Sequence, residues 1–183
     1  MIKIRVFFAI EFEEDFKKYL WDIQQIIKQN SLKGNFTRQD NFHLTLKFIG
    51  EVEPAEIENL KKAIDVVTVN RVSFSLVTSE LGQFPRRNKK IIWLGLEEST
   101  ALQQLHSDLE NFLEKQGYEK EKRSYTPHIT LGREVVLNCD FQELQRVVKI
   151  ETQEIPVQKV SLMESTRVEG KLTYISVYSR HFT

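Results

Sequence analysis

His43-Leu44-Thr45-Leu46 and His128-Ile129-Thr130-Leu131 are near copies of one tetrapeptide, and a pair of this kind falls by chance on the order of once in several thousand random chains of this length. The residues around each histidine favour a strand. Alternation then puts His43 with Thr45 on one face and Leu44 with Leu46 on the other, and His128 with Thr130 repeats the arrangement. Each strand is anchored by leucine or isoleucine and offers histidine and threonine to the opposite side.

Outward from the two motifs, the chain alternates strands and helices. Val6, Phe8, Ile10 and Phe12 alternate with Arg5, Phe7, Ala9 and Glu11, a period of two that predicts an opening strand. Phe12, Phe16, Tyr19, Leu20, Ile23, Ile26 and Ile27 recur at helical spacing. Residues 31–34 read as a polar break and 35–38 as a short extended piece. The first motif strand is expected over 42–49, with Gly50 ending it. Pro54 stands at the first position of a helix striped by Ile57, Leu60 and Ile64. Two β-rich runs, 71–81 and 90–96, are joined by 82–89, read as a hairpin loop. A helix over 99–116 buries Leu102, Leu105, Leu109 and Phe112. Pro127 then keeps Thr126 out of the helical region and opens the second motif strand. Asp140 and Glu143 form a capping box for a short helix, and strands over 157–166 and 172–179 flank the turn Glu169-Gly170. Because a helix precedes and follows each motif strand, the pattern predicts an α+β fold of two similar halves. Two antiparallel or mixed sheets carry helices outside and face each other across a cleft lined by both motifs, in one bilobal unit spanning residues 1–183.

Bulk properties narrow the function. Among 183 residues, Lys plus Arg equals Asp plus Glu at 26 each, so no global basic field draws the protein to nucleic acid. One cysteine, Cys139, excludes an intrachain disulfide and a four-cysteine zinc site. The apolar stretch 6–10 is too short for a membrane span or a signal peptide core, so a soluble, unprocessed protein is expected; the single cysteine fits a reducing cytoplasm, and a monomer is expected.

Two histidines on opposite walls of a cleft are a sufficient acid and base near neutral pH. One activates water while the other protonates a departing oxygen, the arrangement that in-line displacement at phosphorus requires. Thr45 and Thr130 point into the same cleft, where their hydroxyls can donate to non-bridging phosphate oxygens. The motifs bring no second His, Cys or carboxylate at ligand spacing, so neither a metal nor another cofactor is expected. Arg133 is a candidate for pairing with phosphate or stacking on a base, although strict alternation turns it away from His128. Lys47 shares parity with His43 and Thr45 and is a candidate phosphate contact. Phe84 is a candidate stacking platform, and Tyr125 offers a hydroxyl. His106, His181 and Cys139 read as structural or solvated. Arg86, Arg87, Lys89 and Lys90 form the only dense basic run.

At these motifs the chain resembles the two-histidine phosphoesterases, and within them the RNA 2′,3′-cyclic phosphodiesterases once named 2′-5′ RNA ligases. Residues 5–10 resemble the family's opening strand, 41–50 and 125–133 its two motifs, 81–85 with 92–95 its central hairpin and 162–165 its late strand. Phe36 stands where the family often has Trp, and Gly132 where it often has Ala. The resemblance implies a bilobal α+β fold with pseudo-twofold symmetry and hydrolysis of an RNA-terminal 2′,3′-cyclic phosphate to a 2′-phosphate. It also implies that His43 is the acid and His128 the base. The partner is then an RNA end or a small cyclic nucleotide. The competing expectations are a 2′-5′ ligase or a hydrolase of another cyclic or 2′-5′ linkage, and a nucleotide-binding module without catalysis.

Overall fold

A computed structural model describes residues 2–183. The opening apolar alternation forms β1 (Ile4–Glu11), which leads into the amphipathic helix α1 (Glu14–Gln29) and then β2 (Ser31–Phe36). The first motif lies at the start of β3 (His43–Val52). A short 3-10 turn over Pro54–Glu56, closed by a reciprocal Glu53 and Glu56 capping box, starts α2 (Ile57–Thr68). Next come β4 (Phe74–Arg86), β5 (Lys89–Leu96) and α3 (Thr100–Lys115), the last with the Ser99 hydroxyl accepting from the Leu102 amide. The second motif opens β6 (His128–Leu137). It is followed by α4 (Phe141–Val147), whose Asp140 and Glu143 make the expected capping box, then β7 (Glu154–Val157), β8 (Lys159–Val168) and β9 (Lys171–His181).

The strands assemble into two sheets, ordered β3-β1-β8-β9 and β2-β6-β5-β4-β7, and all their pairings are antiparallel. Each motif strand therefore pairs with a strongly apolar neighbour, β3 with β1 and β6 with β5. One buried cluster runs through both halves, joining Val6, Phe8 and Ile10 of β1 to Leu44 and Leu46 of β3, Leu105 and Leu109 of α3, and Ile129 and Leu131 of β6. The fold is thus α+β with helices outside two antiparallel sheets, as the periodicities predict.

Three local expectations are corrected. Residues 31–34 are strand, because β2 completes its hydrogen bonds along β6. Gly50 does not end β3: it pairs with Val6 inside the strand at a φ of +97°, and the register shift between Val6 and Phe7 makes its neighbour Ile49 the extra residue of a bulge. Residues 82–86 are not loop either. They pair with Lys89–Trp93, leaving only Arg87 and Asn88 as the turn, with Arg87 at φ +56°.

Candidate active site

Both motif strands carry a β-bulge at the same place. Across β1, Thr45 pairs with Ala9 and Lys47 with Phe8, so Leu46 is the extra residue. Across β5, Thr130 pairs with Trp93 and Gly132 with Ile92, so Leu131 is the extra residue. A bulge resets which face each later side chain meets. Beyond it, Lys47 and Gly132 turn inward and Phe48 and Arg133 turn outward.

This geometry overturns the parity argument for Lys47. Its ammonium is buried, 2.8 and 2.9 Å from the two carboxylate oxygens of Glu110 and 2.8 Å from the Glu119 carbonyl, so its donors serve the interior and not the cleft. The same bulge corrects the expectation for Arg133. Its charge bears on both His43 and His128, so it stands by the cleft rather than away from it.

Each histidine is oriented by the carbonyl two residues before it. Nδ1–H of His43 donates to the Asn41 carbonyl at 2.7 Å, and Nδ1–H of His128 donates to the Thr126 carbonyl at 2.7 Å. With Nδ1 committed as donor, Nε2 is the nitrogen left for chemistry. His43 Nε2 lies 2.9 Å from the Thr45 hydroxyl. Asn41 itself is buried and grips the edge of β9, donating from its side-chain amide to the Leu172 carbonyl and accepting from the Tyr174 amide.

Burial holds both imidazoles below their ordinary range, because a charged ring loses hydration in the cleft wall. The carbonyls of Asn41 and Thr126 oppose that shift, and the Arg133 guanidinium reinforces it at both rings. His128 pushes His43 lower still, whereas Glu11, paired with His43 across the β1 ladder, favours its proton.

Aromatic rings wall each histidine. Phe7 and Tyr174 lie 4.8 and 5.1 Å from the His43 ring, and Phe84 and Trp93 lie 5.1 and 5.8 Å from His128. Phe84 is thus at the site, edge-on to His128. Phe7, Trp93 and Tyr174 are wall residues that the sequence reading missed. Only Phe7 had a signal in the sequence, where β1 is apolar on both faces; in the structure Phe7 and Ala9 join Met163 and Tyr174 in a small cluster separate from the main core. Trp93 lies flat over Gly82, where any Cβ would overlap its ring.

Tyr125 is placed differently from its expectation. Its hydroxyl donates to the Thr45 carbonyl at 2.9 Å, and its ring stacks on His106 at 3.9 Å with planes 2° apart. It therefore presents no hydroxyl to a substrate. His106 lies 3.7 Å from Glu110, behind the motif strands. Burial, with Glu143 and Asp140 nearby, raises the Cys139 thiol above its ordinary range. Among the described residues, no group of three or more His, Cys, Asp or Glu side chains is arranged to hold a metal ion. Among the described residues, too, no helix is long and apolar enough to cross a membrane.

Two antiparallel sheets that each present one His-x-Thr motif, with the two histidines sharing Arg133, define a bilobal fold with a paired-motif cleft. The chain belongs to the 2′-5′ RNA ligase superfamily, whose family model matches residues 16–169. Among its relatives, an RNA 2′,3′-cyclic phosphodiesterase of Thermotoga maritima is 27% identical over 98% of this chain and 96% of that protein. One of Escherichia coli is 31% identical over 71% of this chain and 72% of that protein. The fold matches a crystal structure of E. coli LigT complexed with 3′-AMP at a TM-score of 0.80 and 24% identity, covering 100% of this chain and 99% of the other.

Proposed function

We propose that this protein is an RNA 2′,3′-cyclic phosphodiesterase that opens a terminal cyclic phosphate to a 2′-phosphate, using His43 and His128 as its acid and base. The observation that carries the reading is the pair of imidazoles, each with Nδ1 tied to a carbonyl and Nε2 left for chemistry. In this mechanism, His128 Nε2 takes a proton from water as the water oxygen attacks phosphorus. The bond from phosphorus to the 3′ oxygen breaks, and His43 Nε2–H protonates that oxygen, leaving a 3′-hydroxyl and a 2′-phosphate. Glu11 supports the acid role of His43, since His128 has no carboxylate favouring its proton. Thr45 and Thr130 donate to the non-bridging oxygens as negative charge redistributes. Arg133 stands where it can meet the same phosphate, and Phe84 offers its ring to the adjoining base.

The names of the relatives support this substrate class and reaction, and the assignment of acid to His43 and base to His128 follows the family resemblance and Glu11 opposite His43 in the β1 ladder. The imidazoles supply both proton transfers, so the mechanism assigns no step to a metal. An oligoribonucleotide ending in a 2′,3′-cyclic phosphate is incubated with the protein in EDTA. The expected product is a 2′-phosphate, and His43→Ala and His128→Ala each lower turnover by about 10²-fold or more while the fold persists. A 3′-phosphate product would reverse the leaving group, loss of turnover on chelation would sink the metal-free mechanism, and near-normal turnover of either variant would refute the pair. The family's name favours a second reading, the same ring opening with a 5′-hydroxyl in place of water as nucleophile. Adding a 5′-hydroxyl oligonucleotide and looking for a 2′-5′ joined product tests it.

A further inference from the structure

The segments that lead into the two motifs are cross-connected. Tyr125, three residues before His128, donates its hydroxyl to the Thr45 carbonyl of the first motif at 2.9 Å. Thr37, six residues before His43, donates its hydroxyl to the Thr130 carbonyl of the second motif at 3.0 Å. Each incoming segment therefore holds the backbone of the other motif at the threonine between histidine and bulge.

Both donors are themselves fixed. The Tyr125 ring is stacked face to face on His106 of α3, which stands beside the buried Lys47–Glu110 pair. Burial raises the Tyr125 phenol above its ordinary range, so it stays a donor at every pH at which the histidines titrate. On the other side, the buried amide of Gln24 in α1 donates to the Thr37 carbonyl and the Leu131 carbonyl at 2.7 Å each, and the Thr37 amide donates to the Leu131 carbonyl at 3.0 Å. The two hydroxyls thus connect rigid supports, α3 behind one and α1 behind the other, to the two strands that carry the chemistry.

We infer that Tyr125 and Thr37 are a reciprocal pair of positioning residues that set the separation of the two His-x-Thr motifs across the cleft. The inference rests on the proposed two-histidine reaction for its kinetic consequence and on geometry alone for its structural one. A transition state that gives one proton and takes another at fixed places on one phosphorus is more sensitive to this separation than is ground-state binding. Neither hydroxyl needs to touch substrate to have this effect.

Tyr125→Phe keeps the stack on His106 and removes only the donor. Thr37→Val is nearly isosteric, whereas Thr37→Ser retains the hydroxyl. On the cyclic-phosphate oligonucleotide, Tyr125→Phe and Thr37→Val are each expected to lower kcat about tenfold with KM changed less than about threefold, and Thr37→Ser to stay within about twofold of the unaltered protein. The inference is overturned by Tyr125→Phe and Thr37→Val that keep kcat, by losses confined to KM, or by a Thr37→Ser as slow as Thr37→Val. Crystal structures of the unaltered protein and the double variant Thr37→Val with Tyr125→Phe give a second reading that needs no turnover. The separation of the His43 and His128 Nε2 atoms is expected to change in the variant, and an unchanged separation overturns the inference. If the double variant does not fold, the single-variant structures carry the same comparison. Should the unaltered protein fail to open the cyclic phosphate, the proposed function falls and the crystal structures alone decide the straps.

Discussion

Arg133 carries a positive charge that both motif histidines experience. Burial already favours the neutral imidazoles, so Arg133 acts in the same direction as desolvation. For an acid and base pair, kcat/KM follows the ionisations of the free enzyme, and both limbs of its pH profile are therefore expected on the acid side of the ordinary imidazole value of 6.5. Removing the charge reverses one contribution. Arg133→Gln is expected to shift both limbs to higher pH while lowering kcat/KM at the optimum by about 10-fold or more, because the phosphate contact proposed for it is lost with the charge. Profiles of kcat/KM between about pH 4.5 and 8.5, a range spanning roughly two units either side of an ordinary imidazole, would test this. Limbs that stay in place would show that Arg133 does not act on the imidazoles.

The bulges at Leu46 and Leu131 explain which neighbouring residues could be read from the one-dimensional pattern. His43, Thr45, His128 and Thr130 precede the bulge in each strand, so simple alternation describes them correctly. Lys47 and Arg133 follow it, and alternation inverts both. A leucine in a strand looks the same whether or not it is the extra residue, so nothing in the composition of H-x-T-L announces the bulge. Gly132 is a partial signal: it follows the bulge directly, and a Cβ there would stand 2.9 Å from the Phe36 ring and 3.0 Å from Val135. In the first motif Lys47 takes the equivalent place and needs Glu110 to be buried at all. Lys47→Met is expected to lower stability by about 3–5 kcal/mol, because it strands a carboxylate in the interior. The double variant Lys47→Met with Glu110→Leu should recover most of that loss, and urea unfolding of the three proteins measures both effects. A stable single variant would mean that the Glu110 carboxylate has another way to be satisfied.

Across the whole molecule, periodicity located the four helices and most strands because each buries one continuous face, whereas the order of strands in the sheets came only with the structure. Pairing depends on residues far apart in sequence: β8 lies beside β1 and β2 beside β6, and no local pattern specifies either neighbour. Phe84 was legible from its place in the hairpin, but Phe7, Tyr174 and Trp93 were missed for the same reason, since they converge from three further strands. Charge, by contrast, is already legible at this scale. With 26 basic and 26 acidic residues, the molecule as a whole does not attract a polyanion, so attraction for an RNA chain must come from local groups. Arg86 and Arg87 are exposed at the tip of the β4–β5 hairpin, the same hairpin that brings Phe84 to His128. An oligonucleotide whose end sits in the cleft can pass its backbone by this tip, whereas a cyclic mononucleotide has no backbone to offer. Two single-strand phosphate contacts correspond to a slope of about 1.4 in log KM against log salt. The double variant Arg86→Ser with Arg87→Ser is expected to reduce the slope for an oligonucleotide by about that amount and to leave turnover of a 2′,3′-cyclic mononucleotide within about twofold of the unaltered protein. Equal losses on both substrates would instead mean that the arginines act on the hairpin and its Phe84, not on the RNA backbone.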